Sequence, residues 1–257
     1  GGAGDEEFTD VAISFTTREK DDGGISYKIN GIFAIGNSNS PSWTGINISD
    51  ETGYQYGVNL KINWDYGSVS GGSIIKSSDD KNASSDVYMD SVKADKNGKL
   101  YNVERTGKFG RSEKIITRAV TDSGANLYMG TIRIGDAYPI IFDIADIQNV
   151  KSTDITLTEN GCVVTASFIG SMAVGSKSSV ITSNGTSQDC IIVGATSESK
   201  YSWHKVLSTS GNEEIAGVTT LSNGNVLVYG NYSTAMTVDS VSLPTPKGGY
   251  DVFLLEL

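Results

Sequence analysis

Short apolar runs and alternating apolar and polar positions fill this chain, and Gly, Asn, Asp and Ser punctuate them. Thr9 to Phe15 (TDVAISF) alternates as a strand with one face buried. The charged turn REKDD follows, then ISYKI, then Asn30-Gly31 and IFAIG, a pattern that predicts a hairpin turning at Asn30-Gly31. Gly45 to Ser49 (GINIS) and Val58 to Asn63 (VNLKIN) alternate too, but Gly and Ser interrupt everything up to Ser85 and leave the register there open. Beyond it the pattern clears into DVYMDSV, the turn Asp95 to Gly98, KLYNVERT, EKIITRAVTDSGANLYMG, YPIIFDI and DITLTENGCVVTA. A Ser-rich excursion then leads to CIIVGA, YSWHKVL, EIAGVTTL and the last stretch, Leu221 to Leu257. No segment carries the 3.6-residue period of an amphipathic helix, so the chain reads as all-β.

The last stretch has a syntax that recurs. Asn223-Gly224 precedes the run Val226 to Tyr229, a polar excursion follows, and the run Val252 to Leu257 closes the unit. Asn160-Gly161 with CVVTASF and later CIIVGA repeats it, as does Ser123-Gly124 with NLYMG and later YPIIFDI; at Ser85 the second half stands alone as SDVYMDSV. The turn glycines Gly124, Gly161 and Gly224 lie 37 and 63 residues apart. Excursions of unequal length between the second and third strands account for the uneven spacing, and repeat folds tolerate such insertions on one face. Four strands per unit of about 50 residues is the size of a β-propeller blade, whereas a solenoid needs shorter and more regular periods.

Asn223 to Gly230 with Asp251 to Leu257, Asn160 to Ala166 with Asp189 to Ala195 and Trp203, and Asp86 to Val92 with Gly98 to Tyr101 together resemble the bacterial β-propeller repeat (SBBP-type) family. The resemblance covers roughly residues 85–257. Only one unit carries the Trp, Tyr101 stands at that place in another, and the middle unit lacks the Asp-led form before Tyr138. It implies a propeller with surface or secreted habits and no catalytic residues. The expected architecture is five blades of four antiparallel strands, or four blades if residues 31–85 hold fewer strands. Thr9 to Phe15 would supply the missing fourth strand of the last blade and so close the ring. A flexible tether over residues 1–7 and one domain over residues 8–257 complete the expected organisation.

Composition narrows the partners. The 30 Gly and 38% hydrophobic content suit many short strands, and no run approaches the ~20 apolar residues that span a bilayer. The small, acidic opening GGAGDEE resembles the tether behind the lipidated Cys of a bacterial surface lipoprotein, so an extracytoplasmic place, in the periplasm or on the outer membrane, is expected. With 30 acidic against 20 basic residues the net charge is −10, which disfavours nucleic acid and anionic membranes and points to neutral or cationic partners.

Candidate chemistry is sparse. His204, the single histidine, follows Trp203 in a predicted strand without a G-x-S-x-G context, so no Ser-His-Asp or Cys-His triad is expected, and one His with two Cys argues against His- and Cys-based zinc sites. Cys162 and Cys190 both sit at strand starts in an antiparallel pair, about 15–20 Å apart, and are expected as free thiols. The Asp- and Asn-rich loops at 78–86 and 95–98 do not fit a calcium loop and read as solvated turns. Asp86, Asp136, Asp189 and Glu214 are available for two-carboxylate glycoside chemistry, but Asp86, Asp189 and Asp251 are explained by a shared place in the repeat. No catalytic residue, metal or cofactor is therefore assigned. Five of the 22 aromatic residues, Trp43, Tyr54, Tyr56, Trp64 and Tyr66, fall within 24 residues and are the candidate ligand-binding platform, with packing between blades as the alternative use. The expected function is a non-enzymatic, exported binding module for a glycan or protein; the alternative is a carbohydrate-active hydrolase or lyase using Asp and Glu.

Overall fold

The computed structural model describes residues 6–39, 56–63, 65, 69–75, 86–96, 100–107, 114–122, 127–128, 142–174, 180–196 and 201–257. Every regular element among them is a strand, and no helix is long and apolar enough to cross a membrane. The strands form antiparallel up-and-down sheets. The first sheet runs β1 (Glu6–Glu19), β2 (Ile25–Ser38), β3 (Tyr56–Ile62), β4 (Val69–Ile75) in that order. The second runs β5 (Asp86–Ala94), β6 (Leu100–Gly107), β7 (Lys114–Asp122), β8 (Leu127–Tyr128). The third holds β9 (Phe142–Thr158), β10 (Gly161–Val174), β12 (Asp189–Thr196) and β13 (Tyr201–Leu207), with the short β11 (Val180–Thr182) on the far end of β10. The last holds β14 (Glu213–Thr220), β15 (Val226–Tyr232) and β18 (Asp251–Glu256), and the hairpin β16 (Met236–Val238) to β17 (Val241–Leu243) is inserted before β18. The chain divides into two compact units, residues 1–110 with 118–132, and residues 111–117 with 133–257.

In the first unit the first sheet packs its inner face on β5. Ala12, Phe33, Ile35, Val58, Leu60 and Val92 are buried there, and Ser14 Oγ donates to the carbonyl of Asp95 (2.7 Å). In the second unit Val163, Cys190, Ile192 and Leu207 of the third sheet meet Ile215, Val218, Val226, Val228, Tyr232, Met236 and Phe253 of the last sheet and its insertion. Each such buried aliphatic or aromatic side chain contributes about 1.5–3 kcal/mol. β12 is buried on both faces, which is why DCIIVGA reads as an unbroken apolar run rather than an alternation.

One device recurs in the two units. Asp10 of β1 accepts the N–H of Val11 on Oδ1 (2.8 Å), and on Oδ2 the N–H of Val92 (2.9 Å) and the hydroxyl of Ser91 (2.8 Å), both in β5. Asp154 of β9 accepts the N–H of Ile155 on Oδ1 (2.8 Å) and that of Val218 in β14 on Oδ2 (3.1 Å). Among the described residues β5 and β14 are each paired with one neighbouring strand, and the carboxylate gives an N–H on the other side an acceptor. Both strands also carry a register shift just ahead of the capped position, at Asp90 and at Ala216.

Three expectations change. Asn30-Gly31 is not a turn: β2 runs straight through it, and the reversal is at Lys20 to Gly24, where Gly23 has φ +77°. Asn30 is instead left over by a bulge and donates from Nδ2 to the carbonyl of Lys96 (3.0 Å), while the ring of Phe33 fills the space a Cβ at Gly31 would need. Asp86 begins a first strand, whereas Asp189 and Asp251 begin third strands, so the three do not share a place. Thr9 to Phe15 belongs to the first sheet, paired along β2, and the last sheet stands as three strands with β18 at its edge. Other readings hold. Asn223-Gly224 makes the β14–β15 turn, with Gly224 at φ +88°, and the β10–β12 ladder sets Cys162 opposite Ala195 and Cys190 opposite Ser167, at opposite ends, both buried and neither in a disulfide.

Because each Asp cap accepts an N–H on the side of a strand away from its ladder, Asp154→Ala should lower the unfolding free energy by about 1–3 kcal/mol. Asp10→Ala should do likewise, and urea denaturation of the two variants measures both. A change under about 0.3 kcal/mol in both would contradict the assigned role of the clamp.

Candidate functional site

In the second unit the connections that lead into β12 and β14 and out of β15 meet at one end of the sheets, as an up-and-down topology requires. Asn184 Nδ2 donates to the carbonyl of Thr209 (2.8 Å), Ser187 Oγ to that of Ser210 (3.2 Å), and the Gln188 N–H to Asn212 Oδ1 (2.9 Å). Gln188 and Glu213 exchange further bonds, Glu213 N–H to the Gln188 carbonyl (2.7 Å) and Gln188 Nε2 to the Glu213 carbonyl (3.1 Å). Asn212 is tied to the next connection through Ser233, and its Nδ2 donates to the hydroxyl of Tyr250 (3.4 Å). Ser, Thr and Asn dominate these loops because their short polar side chains satisfy backbone groups that no ladder reaches.

Two carboxyl groups lie beneath this knot, and both are wholly buried. Glu213 accepts the N–H of Thr209 on Oε2 (3.1 Å) and its hydroxyl on Oε1. Asp189 accepts the N–H of Asn184 on Oδ2 (3.0 Å), and its Oδ1 has no hydrogen-bond partner among the described residues. Burial pushes the Asp189 carboxyl above the ordinary range, against the Ser208 hydroxyl and the Asn184 N–H, which favour the charged form. Burial also raises Glu213, opposed by the two bonds from Thr209 and reinforced by the charge of Asp189. Cys190 is next to the pair, bonded through its thiol to Ser167 Oγ (3.3 Å), and burial pushes it up to about 12.

Neither carboxyl can meet a substrate, so Asp189 is removed as a hydrolytic acid or base. Glu214, one residue along, is exposed, as strand alternation demands; Asp136 lies outside the described residues, as does the side chain of Asp86. His204 shares a hydrogen bond at Nδ1 with the hydroxyl of Tyr201 (2.9 Å) and sits half-buried in β13. Trp203 lies over Gly194 of the neighbouring strand, a cross-strand packing role. Among the described residues no three His, Cys, Asp or Glu side chains cluster as a metal site. Of the aromatic platform, Tyr56 opens β3 opposite Ser38, while Trp43, Tyr54, Trp64 and Tyr66, with the side chain of Tyr56, lie outside the described residues.

A different surface carries exposed apolar groups. On the outward face of the last sheet Tyr229 pairs with Leu254 and Asn231 with Val252. Leu254 is 71% exposed, Val252 69%, Tyr250 55% and Tyr229 40%, and Tyr229 lies across Gly217, where a Cβ would come within 2.4 Å of its hydroxyl. Exposed carboxylates flank the strip, Glu214 on β14 and Asp251 and Glu256 on β18. Bonds from Asn225 and Asn223 hold Glu256 below the usual carboxylate range, so it is charged at neutral pH. The alternating pattern YDVFLLEL puts Val252, Leu254 and Glu256 on one side and could have signalled this face.

Asp189 and Glu213 both have folded-state pKa values above their unfolded ones, so the folded protein binds these protons more tightly. The stability they contribute is complete below the unfolded value of about 4 and is lost as pH rises through the raised folded values. Unfolding free energy should therefore decline upward from about pH 4 in wild type, and less steeply in Asp189→Asn and Glu213→Gln. Denaturation at stepped pH tests this, and identical profiles in all three proteins would refute it. In a thiol assay, protein denatured without reductant should titrate both cysteines, while the folded chain should react slowly, because the burial that pushes Cys190 to about 12 keeps it neutral. No protein-family model matches the chain, and no curated protein matches it.

Proposed function

We propose that this chain is a non-enzymatic binding module of propeller type, exported to the extracytoplasmic side of a bacterium, that holds a neutral or cationic protein partner on the outward face of its last sheet. The repeated up-and-down sheets support the propeller reading, as does the packing of β5 on β1 and β2 and of β14 on β9 and β10, since blades approach most closely along their first strands. The four sheets of three or more strands among the described residues favour the four-bladed form. The observation that carries the binding reading is the exposed strip of Tyr229, Val252 and Leu254 beside Tyr250. An apolar centre with a charged rim is the anatomy of a protein contact, and the carboxylates select against acidic partners. The cross-bonded loops hold the edge of this surface in one shape, so little ordering is lost on binding.

Arrays of glycans and of basic, aromatic-containing peptides, probed with purified wild type and with Leu254→Glu, test the reading. Peptide binding is expected, weakened about tenfold to a hundredfold by the substitution, which corresponds to the 1–3 kcal/mol of a central contact, with the melting temperature unchanged. Binding of glycans alone, indifferent to Leu254→Glu, would move the site elsewhere and change the partner class. No binding on either array would overturn the proposal.

A further inference from the structure

The last sheet ends on β18, and its pairing with β15 runs without a break from Asp251 opposite Tyr232 to Glu256 opposite Leu227. Val226 and Leu257, next along, exchange both backbone bonds (2.9 and 2.8 Å), which fixes the phase of the ladder. Antiparallel pairs alternate, so Leu255, Phe253 and Asp251 turn their N–H and C=O groups to β15, and Val252, Leu254 and Glu256 turn theirs away from it. Among the described residues no strand or side chain takes these groups up. Other edges are blunted. β5 and β14 have their Asp caps, the β1–β2 ladder has two bulges, and β13 has a bulge at Ser202 with Lys205 bonded to Asp239 of the β16–β17 hairpin (2.6 Å). β18 has no proline, no bulge and no charge between its ends, and the side chains of Val252 and Leu254 are aliphatic and exposed. Unpaired backbone beside exposed apolar side chains is a template for an added strand.

We infer that β18 is the seat of an added strand: an extended segment of the partner protein that runs antiparallel to it, with apolar side chains beside Val252 and Leu254 and Lys or Arg toward its ends. This rests on the reading that the outer side of the last sheet takes a protein partner, and it names how that partner is held. The outward N–H and C=O groups of Val252, Leu254 and Glu256 bond the backbone of the segment, and the alternate side chains decide which segment fits. The antiparallel direction continues the pattern of every ladder among the described residues, and it gives the last sheet four strands, as the first and second sheets have. Charge selects the chemistry. From Leu221 to Leu257 the single cation Lys247 stands against Asp239, Asp251 and Glu256, and the last two flank the aliphatic pair. The same carboxylates disfavour a second copy, because two β18 strands paired antiparallel would set Glu256 of each beside the Asp251 end of the other.

The probe is the tightest binder from a set of peptides of about eight residues that alternate Val, Leu, Tyr or Phe with Lys, Arg or Thr. Amide hydrogen exchange followed by NMR on the whole chain should show Val252, Leu254 and Glu256 slowed at least about tenfold by the bound peptide, and Phe253 and Leu255, already bonded to β15, changed little. N-methylation of one alternate set of peptide amides removes the bonds to β18 and should weaken binding by about tenfold to a hundredfold, while methylation of the other set leaves it within about threefold. A peptide that binds and is weakened by Leu254→Glu, yet leaves the outward amides unprotected or is affected alike by both methylated sets, overturns the added strand and leaves the face as the site. No peptide binding overturns both. Protection of the same amides that rises with protein concentration and needs no peptide means that a second copy fills the edge, and it overturns the inference as well.

Discussion

The sheets of this protein depend on a carboxylate reaching across to a strand edge. Among the described residues β5 and β14 each pair with one strand, and a strand N–H left without an acceptor in a packed setting costs about 1–3 kcal/mol. Asp10 and Asp154 answer the problem identically, holding their own strand with Oδ1 and the next first strand with Oδ2. Apolar packing alone would let one sheet slide over the other, because it has no direction. A hydrogen bond from Val92 or Val218 to one carboxylate oxygen has a direction, and it sets which residues of the two sheets face each other.

The loop end of the second unit rests on a less comfortable arrangement. Two buried carboxyl groups lie near one another, with their charge opposed by burial and supported by N–H and hydroxyl donors from Asn184, Ser208 and Thr209. Replacing them with apolar residues would remove the acceptors that hold Asn184 and Thr209, and with them the connections from one sheet to the next. Stability at high pH is thereby exchanged for loops of defined shape.

Among the described residues, most exposed large apolar side chains lie along β1 and β2 in one unit and on β15, β18 and Tyr250 in the other, with Val69, Val180, Trp203 and Val241 apart from both. Both groups belong to strands whose alternation buries one face and leaves an equally apolar second face open. The β15–β18 face is framed by carboxylates of one sign, and the β1–β2 hairpin by charges of both.

Alternation and turn chemistry are local, so the sequence by itself determined the all-β class, most of the strands, the Asn223-Gly224 turn and the separation of Cys162 from Cys190. The same rules misplaced Asn30-Gly31, because a bulge uses the residues a turn uses, and only the partner strand tells the two apart. They also missed β4, whose VSGGSII has little strand character until β3 lies beside it. The Thr-Asp-aliphatic triplets at Thr9 and Thr153 stood in the sequence as a repeat, but their clamp role depends on strands 82 and 64 residues away. Likewise nothing local distinguishes buried Glu213 from exposed Glu214, or the covered face of β18 from its open one. Tertiary structure decided these points, because burial and the capping of an edge are properties of what a strand meets, and a strand's own residues specify only that it has two faces.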